Sequence, residues 1–241
     1  SILSFFNIIY SYYLNLYLNL DTYYLSFFCS LVISILFYNL KFEQKRLTIF
    51  NKILTVFVGY IFIPLVLSIP FYFSIYNLTL LNSFFEAISG FTSTGFTIFD
   101  NVKHIDQSLI LWRSSTQWIG GLYFLFSIIF LIDIYDENFK KTLTNFISFD
   151  SSEIFKQAIK IFLLYSVLTL IIFIILNIFS IRTFDSLNLS FSLVSSGGFL
   201  PVNDLSNILR ENSQIIVFSI LMLPSFFSIF FSYNLIFFKN K

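Results

Sequence analysis

The sequence predicts an all-α integral membrane fold of repeated helix, pore half-helix, filter loop and helix units. About six transmembrane helices and two re-entrant pore loops are expected. Three observations lead there. Of the 241 residues, 57% are hydrophobic and only 11% charged, where a soluble domain carries roughly 25% charged residues. Six apolar runs reach or approach the roughly 20 residues a helix needs to cross the hydrocarbon core. Between the longer runs lie two polar, glycine-broken stretches at a depth where irregular backbone is tolerated only if it is buried in protein or lines a wet cavity.

The runs fall at about 2–20, 23–40, 53–76, 107–133, 157–181 and 213–237. The first is interrupted by Tyr and Asn and is the weakest span. It has neither the basic start nor the small-residue cleavage site of a signal peptide. The chain opens on Ser1 inside this run, so its true start is expected upstream. Pro64 and Pro70 in the third run and Pro224 in the sixth are kinks that neighbouring helices can absorb. The 36 phenylalanines are read as compositional bias filling space, rather than as an aromatic cage.

Basic residues sort by side. Lys41, Lys45, Arg46 and Lys52 follow the second run. Lys140, Lys141, Lys156 and Lys160 lie between the fourth and fifth, and Lys239 and Lys241 close the chain. The positive-inside rule makes these loops cytoplasmic and places the first residue inside as well. Segments 77–106 and 182–212 then face outward. Their charges are mainly acidic: Glu86, Asp100, Asp106, Asp185, Asp204 and Glu211, against Lys103, Arg182 and Arg210. Carboxylates around an outer mouth raise the local cation concentration. The net charge of +1 says nothing about nucleic acid; where the charges lie says more, and no nucleic-acid partner is expected. Segment 134–156, polar with scattered apolar residues, is expected along the cytoplasmic interface.

The two polar stretches form a repeat. Setting Gly95-Phe96 on Gly198-Phe199, a register of 103 residues, also matches Ser83 with Ser186, Ser89 with Ser192 and Ser93 with Ser196. Each copy has a spanning run before it, a short apolar lead-in, a glycine break, a polar loop and a spanning run after it. The first lead-in, about Leu80 to Ser89, is too short to span. Entering from outside as a half-helix, it points its carboxyl end at the membrane centre, where unpaired carbonyls favour a cation. Thr92-Ser93-Thr94-Gly95 then returns outward in extended form, with carbonyls and hydroxyls that can replace an ion's water shell. Glycine at the bend takes positive φ without steric cost. An ordinary turn is the bland alternative, and the duplication with its flanking spans favours a filter.

The first copy and its sequel, Leu111-Trp112-Arg113-Ser114-Ser115-Thr116-Gln117-Trp118-Ile119-Gly120-Gly121, resemble the first pore unit of the bacterial TrkH/KtrB potassium-transporter superfamily. That family reads as a Phe-Glu pair, Ser-Gly, a Thr-rich filter with glycine, and then Arg-x-x-x-Gln-Trp-x-Gly-Gly. The second copy, Phe184-Asp185-Ser186 through Ser192 and Gly197-Gly198-Phe199, is similar to the family's second unit. Two spans ahead of the first pore unit fit the TrkH branch. The resemblance implies four units around one pore, of which this chain carries the first two, as a fragment or one half of a split protein. Its implied domains are two N-terminal transmembrane helices in 1–46, a first pore unit in 47–136, a cytoplasmic linker in 137–156 and a second pore unit in 157–241. It implies potassium as the transported ion, contacted at Ser93 and Thr94 and at Ser196 and Gly197, with Gly95 and Gly198 holding the bends. It further implies a bacterial inner-membrane protein that forms a homodimer when full-length, bound by a cytosolic nucleotide-binding regulatory subunit. No organic cofactor is implied. Ser195-Ser196 departs from the apolar residues common in relatives at that point.

Two charges lie near the filter. Arg113 at the outer end of the fourth run either snorkels to the interface or pairs with Glu86 on the half-helix, supporting the filter. An unpaired charge there costs several kcal/mol. Asp133 marks the cytoplasmic interface. Gly120-Gly121 allow a neighbouring helix to approach closely, His104 is a solvated loop residue, and Cys29 is expected as a buried structural thiol. An integral membrane enzyme would need convergent carboxylates, a histidine pair or a nucleophile with its base, and the acidic residues are dispersed around a single histidine. A non-conducting assembly subunit would leave both glycine-broken loops unexplained.

Overall fold

The computed structural model describes residues 1–39, 48–131 and 154–226. Lys41, Lys45, Arg46, Asp133, Lys140, Lys141, Lys239, Lys241, the side chains of Lys156 and Pro224, and nearly all of segment 134–156 lie outside the described residues. Nine α-helices are described: α1 Ile2–Tyr13, α2 Leu20–Asn39, α3 Ile49–Leu67, α4 Ile69–Tyr72, α5 Leu80–Phe91, α6 Gln107–Leu131, α7 Ile154–Ile178, α8 Thr183–Val194 and α9 Asn212–Phe226. Two stretches, Ile49–Tyr72 and Ala158–Ile178, are long and apolar enough to cross a membrane; Leu20–Leu36 and Asn212–Leu223 are shorter apolar helices. Large apolar side chains such as Phe28, Phe57, Ile174 and Leu223 face outward, which suits lipid rather than water.

The expected first span over 2–20 is corrected. Helix α1 stops at Tyr13, seven residues before the run ends, and α2 begins at Leu20. Asn15 ends it in the left-handed conformation at φ 55°. The Asn15 amide bonds to the Tyr12 carbonyl and the Leu16 amide to Ser11, the paired bonds of a Schellman motif. In the third run, α3 and α4 are nearly continuous, broken at Ser68 just before Pro70 in the first turn of α4. Cys29 is half-buried rather than fully buried. His104 is exposed.

The repeat survives folding in register. Helices α5 and α8 are both 12 residues long and begin 103 residues apart, as do the 3-10 turns Val102–His104 and Leu205–Asn207. Left-handed backbone recurs at the same spacing, at Asn77 and Ser180 and at Ser93 and Ser196.

Helix α6 joins the units. Its N-terminal half (Leu109, Ile110, Trp112) is buried with Tyr23 of α2, Phe71 of α4 and Phe91 of α5. Its C-terminal half (Leu122, Leu125) is buried with Tyr165 and Ile172 of α7 and Leu193 of α8. Its 25 residues would cover about 37 Å. Arg113, Ser114, Ser115, Thr116 and Gln117 in its middle are all buried to within 1%, which is where a polar segment must lie if lipid surrounds the fold.

Candidate functional site

Both half-helices end in the same way. After α5, the Ser93 amide donates to the Gly90 carbonyl (2.9 Å) and the Thr94 amide to Ser89 (3.0 Å). After α8, the Ser196 amide donates to Leu193 (3.2 Å) and the Gly197 amide to Ser192 (2.7 Å). These are Schellman pairs with serine, not glycine, at the left-handed position. The last-turn carbonyls of Ile88, Ser89 and Gly90 are therefore taken by turn amides. The negative helix end that the sequence suggested as unpaired carbonyls is thus shifted to the residues beyond Gly90.

The two loops then meet. A Cβ placed on Gly95 would lie 2.5 Å from the Cα of Gly198, and one on Gly198 would lie 3.1 Å from the Cα of Gly95. Gly95 also has φ +79°. Gly198 is outside the left-handed region, which in its loop falls on Ser196. The expectation that both glycines serve a positive-φ bend is corrected at Gly198: there, close backbone approach excludes a side chain. Ser93, Gly95 and Gly197 are half-buried, whereas Thr94, Ser196 and Gly198 are exposed. The glycine pair itself lines a cavity of about 280 Å³ together with Thr97, Asp100, Arg113, Phe199 and Asn203.

Helix α6 supports both loops. A Cβ on Gly120 would overlap the Phe91 carbonyl oxygen at the end of α5. One on Gly121 would lie 3.0 Å from the Cα of Ser195 at the end of α8 and 2.5 Å from the Tyr165 hydroxyl. These adjacent glycines let the carboxyl ends of both half-helices rest on one turn of α6. Trp118 anchors the same turn to α7, donating from Nε1 to Thr169 (3.0 Å) while its carbonyl accepts from Tyr165 (3.0 Å).

Glu86 and Arg113 form an ion pair, Nε to Oε1 at 2.7 Å, with side chains 0% and 1% exposed. Glu86 is thus no part of an acidic outer surface, and Arg113 does not snorkel. The Glu86 carboxylate also accepts from the Thr97 hydroxyl (2.9 Å) and the Ile98 amide (3.0 Å). Arg113 donates to Thr97 Oγ1 (3.0 Å) and to the Leu200 carbonyl (3.5 Å), and its guanidinium carbon lies 4.3 Å from the centre of the Phe199 ring. Bonds to several groups offset the cost of burying both charges. One ion pair thereby holds the returning limb of the first loop and reaches the second.

Gln117 and Thr97 were not singled out from sequence. Gln117 is fully buried. With its amide oriented so that both ends find partners, its oxygen accepts from the amides of Gly198 (2.9 Å) and Phe199 (2.6 Å), and its nitrogen donates to Ser192 Oγ (3.3 Å). Ser192 Oγ in turn donates to the Gly197 carbonyl (2.9 Å). In the first loop, Ser89 Oγ donates to the Phe96 carbonyl (2.6 Å). A signal for Gln117 was present in the repeat: Leu189 occupies the position of Glu86 in the second copy, leaving that loop without a carboxylate.

Among the described residues, no group of three or more His, Cys, Asp or Glu could hold a metal ion. The oxygens at the glycine pair are carbonyls and hydroxyls, a donor set suited to a hard monovalent cation.

No family model matches the chain. An uncharacterized cation transporter of Methanocaldococcus jannaschii is 24% identical over 190 residues, 75% of this chain and 38% of the relative. The Trk system potassium uptake protein TrkH of Salmonella typhimurium is 27% identical over 182 residues, 72% of this chain and 38% of the relative. The crystal structure of the potassium transporter TrkH from Vibrio parahaemolyticus matches with TM-score 0.73 at 17% identity, over 92% of this chain and 47% of that one. The chain thus spans 38% of each of the two sequence relatives and 47% of the solved structure, less than half of each. In sequence the chain is similar to Trk-type cation transporters, in fold it is similar to the solved TrkH structure, and it carries a duplicated half-helix unit.

Proposed function

We propose that this chain supplies the first two of four pore units of a potassium uptake subunit, in which ions pass between filter loops and contact Ser93, Thr94 and Gly95 of the first unit and Ser196, Gly197 and Gly198 of the second. The observation that carries this reading is a contrast between matched phenylalanines. Phe199 is 1% exposed, seated against Gly90 and beneath Arg113 of the preceding unit. Phe96, its counterpart 103 residues earlier, is 69% exposed. A ring in which each unit covers the next one's loop leaves Phe96 open until a fourth unit closes on it. The relatives named for potassium uptake support potassium as the cargo.

In this reading residues 1–46 form the N-terminal helices, 47–136 the first pore unit, 137–156 a cytoplasmic linker and 157–241 the second unit. The N-terminus is cytoplasmic and the protein sits in a bacterial inner membrane. The complete subunit forms a homodimer and is gated by a cytosolic nucleotide-binding partner. Glu86 and Arg113 hold the filter and do not contact the ion.

The test is complementation. The complete reading frame is expressed in a bacterial strain that lacks its own potassium uptake, and rubidium influx is measured. Influx above the empty-vector control, lost on replacing Gly95 or Gly198 with valine while the protein remains in the membrane, is the expected outcome. Influx insensitive to both replacements overturns the reading.

A further inference from the structure

The two filter loops are held by different means. In the first, the amide of Ile98 is bound by Glu86 of the same unit (3.0 Å). In the second, the equivalent half-helix position is Leu189, buried and apolar. The amides of Gly198 and Phe199 are bound instead by Gln117, which belongs to the first unit's helix α6. The second unit's own α9 repeats neither feature: Ile216 and Ile220 stand 103 residues after Arg113 and Gln117, and both face outward, 59% and 57% exposed.

We propose that Gln117 is the positioning residue of the second filter loop, which has no carboxylate at the position of Glu86 and, with Pro201 at the position of Ile98, no amide there for one to hold. It sets the direction of the Gly198 carbonyl and so helps determine cation selectivity. The chemistry is direct. In a peptide unit the N–H and C=O point in opposite directions, so an acceptor that fixes two successive N–H groups also fixes the carbonyl between them. Gln117 has 0% exposure, and no water competes for its amide. Its nitrogen bonds to Ser192, which bonds to the Gly197 carbonyl, closing a chain from α6 through α8 to the loop. The two loops therefore differ in their supports: the Ile98 amide of the first is held by its own half-helix, whose carboxylate Arg113 of α6 holds in turn, and the Gly198 and Phe199 amides of the second are held by α6 directly.

The selectivity part of this inference rests on the pore reading above, and the experiment separates the two. The complete protein in lipid nanodiscs is compared by amide hydrogen exchange as wild type, Gln117→Leu, Gln117→Glu and Glu86→Gln. Gln117→Leu is expected to speed exchange at Gly198 and Phe199 about tenfold while leaving Ile98 unchanged. Glu86→Gln, which leaves Arg113 without its counter-charge, is expected to speed exchange at Ile98 more than at Gly198 and Phe199, and Gln117→Glu, which keeps the acceptor, to stay close to wild type. In the uptake assay, Gln117→Leu should change the rubidium-to-sodium ratio several-fold and Gln117→Glu should bring it back toward the wild-type value. Equal acceleration of both loops, or none in the second, overturns the proposal. A crossed exchange pattern with an unaltered ion ratio overturns its selectivity part. A crossed pattern in a wild-type protein that moves no cation overturns the pore reading and leaves the positioning role standing. If Gln117→Leu is not recovered from membranes, Gln117→Asn, whose amide is one methylene short of the loop, is read by the same exchange criterion.

Discussion

Gly95 and Gly198 touch backbone to backbone, so that a methyl group on Gly95 would fall 2.5 Å from the Cα of Gly198. The contact is unequal. Gly95 combines the close approach with a left-handed φ of +79°, while Gly198 meets its neighbour at 3.1 Å without backbone strain. Gly95→Ala is therefore expected to be the more damaging change, since left-handed backbone alone costs a residue with a Cβ about 1–2 kcal/mol and the overlap adds to it. Thermal unfolding of the purified protein, with rubidium uptake alongside, checks the order. Equal tolerance of alanine at both positions would contradict the described loop contact.

Ser93 and Ser196 each occupy left-handed backbone, at φ 56° and 54°. Ser93→Gly and Ser196→Gly should each stabilise the fold by up to about 1 kcal/mol, seen as a rise in melting temperature. If the serine conformations are needed to present oxygen to the ion, uptake falls even as stability rises. That opposite movement is the expected result for a strained residue retained at a functional site.

Removing either partner of the Glu86–Arg113 pair should cost about 3–5 kcal/mol, because the other charge is left buried. Arg113→Lys is expected to rescue little: one ammonium cannot serve Glu86, Thr97 and the Leu200 carbonyl together or stack on Phe199. Exchanging the two charges should restore part of the folded yield lost in either single neutralisation. Size-exclusion profiles of the four variants read this, and absence of any recovery would argue that the neighbouring Thr97 and Ile98 bonds dominate.

Gly120→Ala and Gly59→Ala contrast two kinds of overlap. At Gly59 the added carbon would meet the hydroxyl of Tyr123, a side-chain end whose displacement breaks its bond to the Val56 carbonyl but shifts no backbone. At Gly120 it would meet the backbone carbonyl of Phe91, where α5 ends. Overpacking of a rigid contact costs about 1–3 kcal/mol, so Gly120→Ala should lower the melting temperature clearly more than Gly59→Ala.

Much of the architecture was legible in the residues themselves. The register of 103 read from a few Ser, Gly and Phe matches reappears in helix lengths, 3-10 turns and left-handed positions. Repeated local chemistry repeats local backbone. The early end of α1 was harder to read, because Asn15 acts through capping geometry rather than through hydropathy. The role of Gln117 is not legible in the sequence, since its partners are backbone amides about 80 residues away.

The sequence by itself determined that the chain belongs in lipid, that it is duplicated, and that each copy breaks its helix near a glycine. Those properties follow from hydropathy and from conformational preferences carried by adjacent residues. Only the tertiary structure decided that Glu86 and Arg113 meet, that Gly198 is glycine for closeness rather than for φ, and that the second loop hangs from the first unit's helix. Each of those depends on distances between segments far apart in the chain, set by how α5 and α8 rest on the paired glycines of α6.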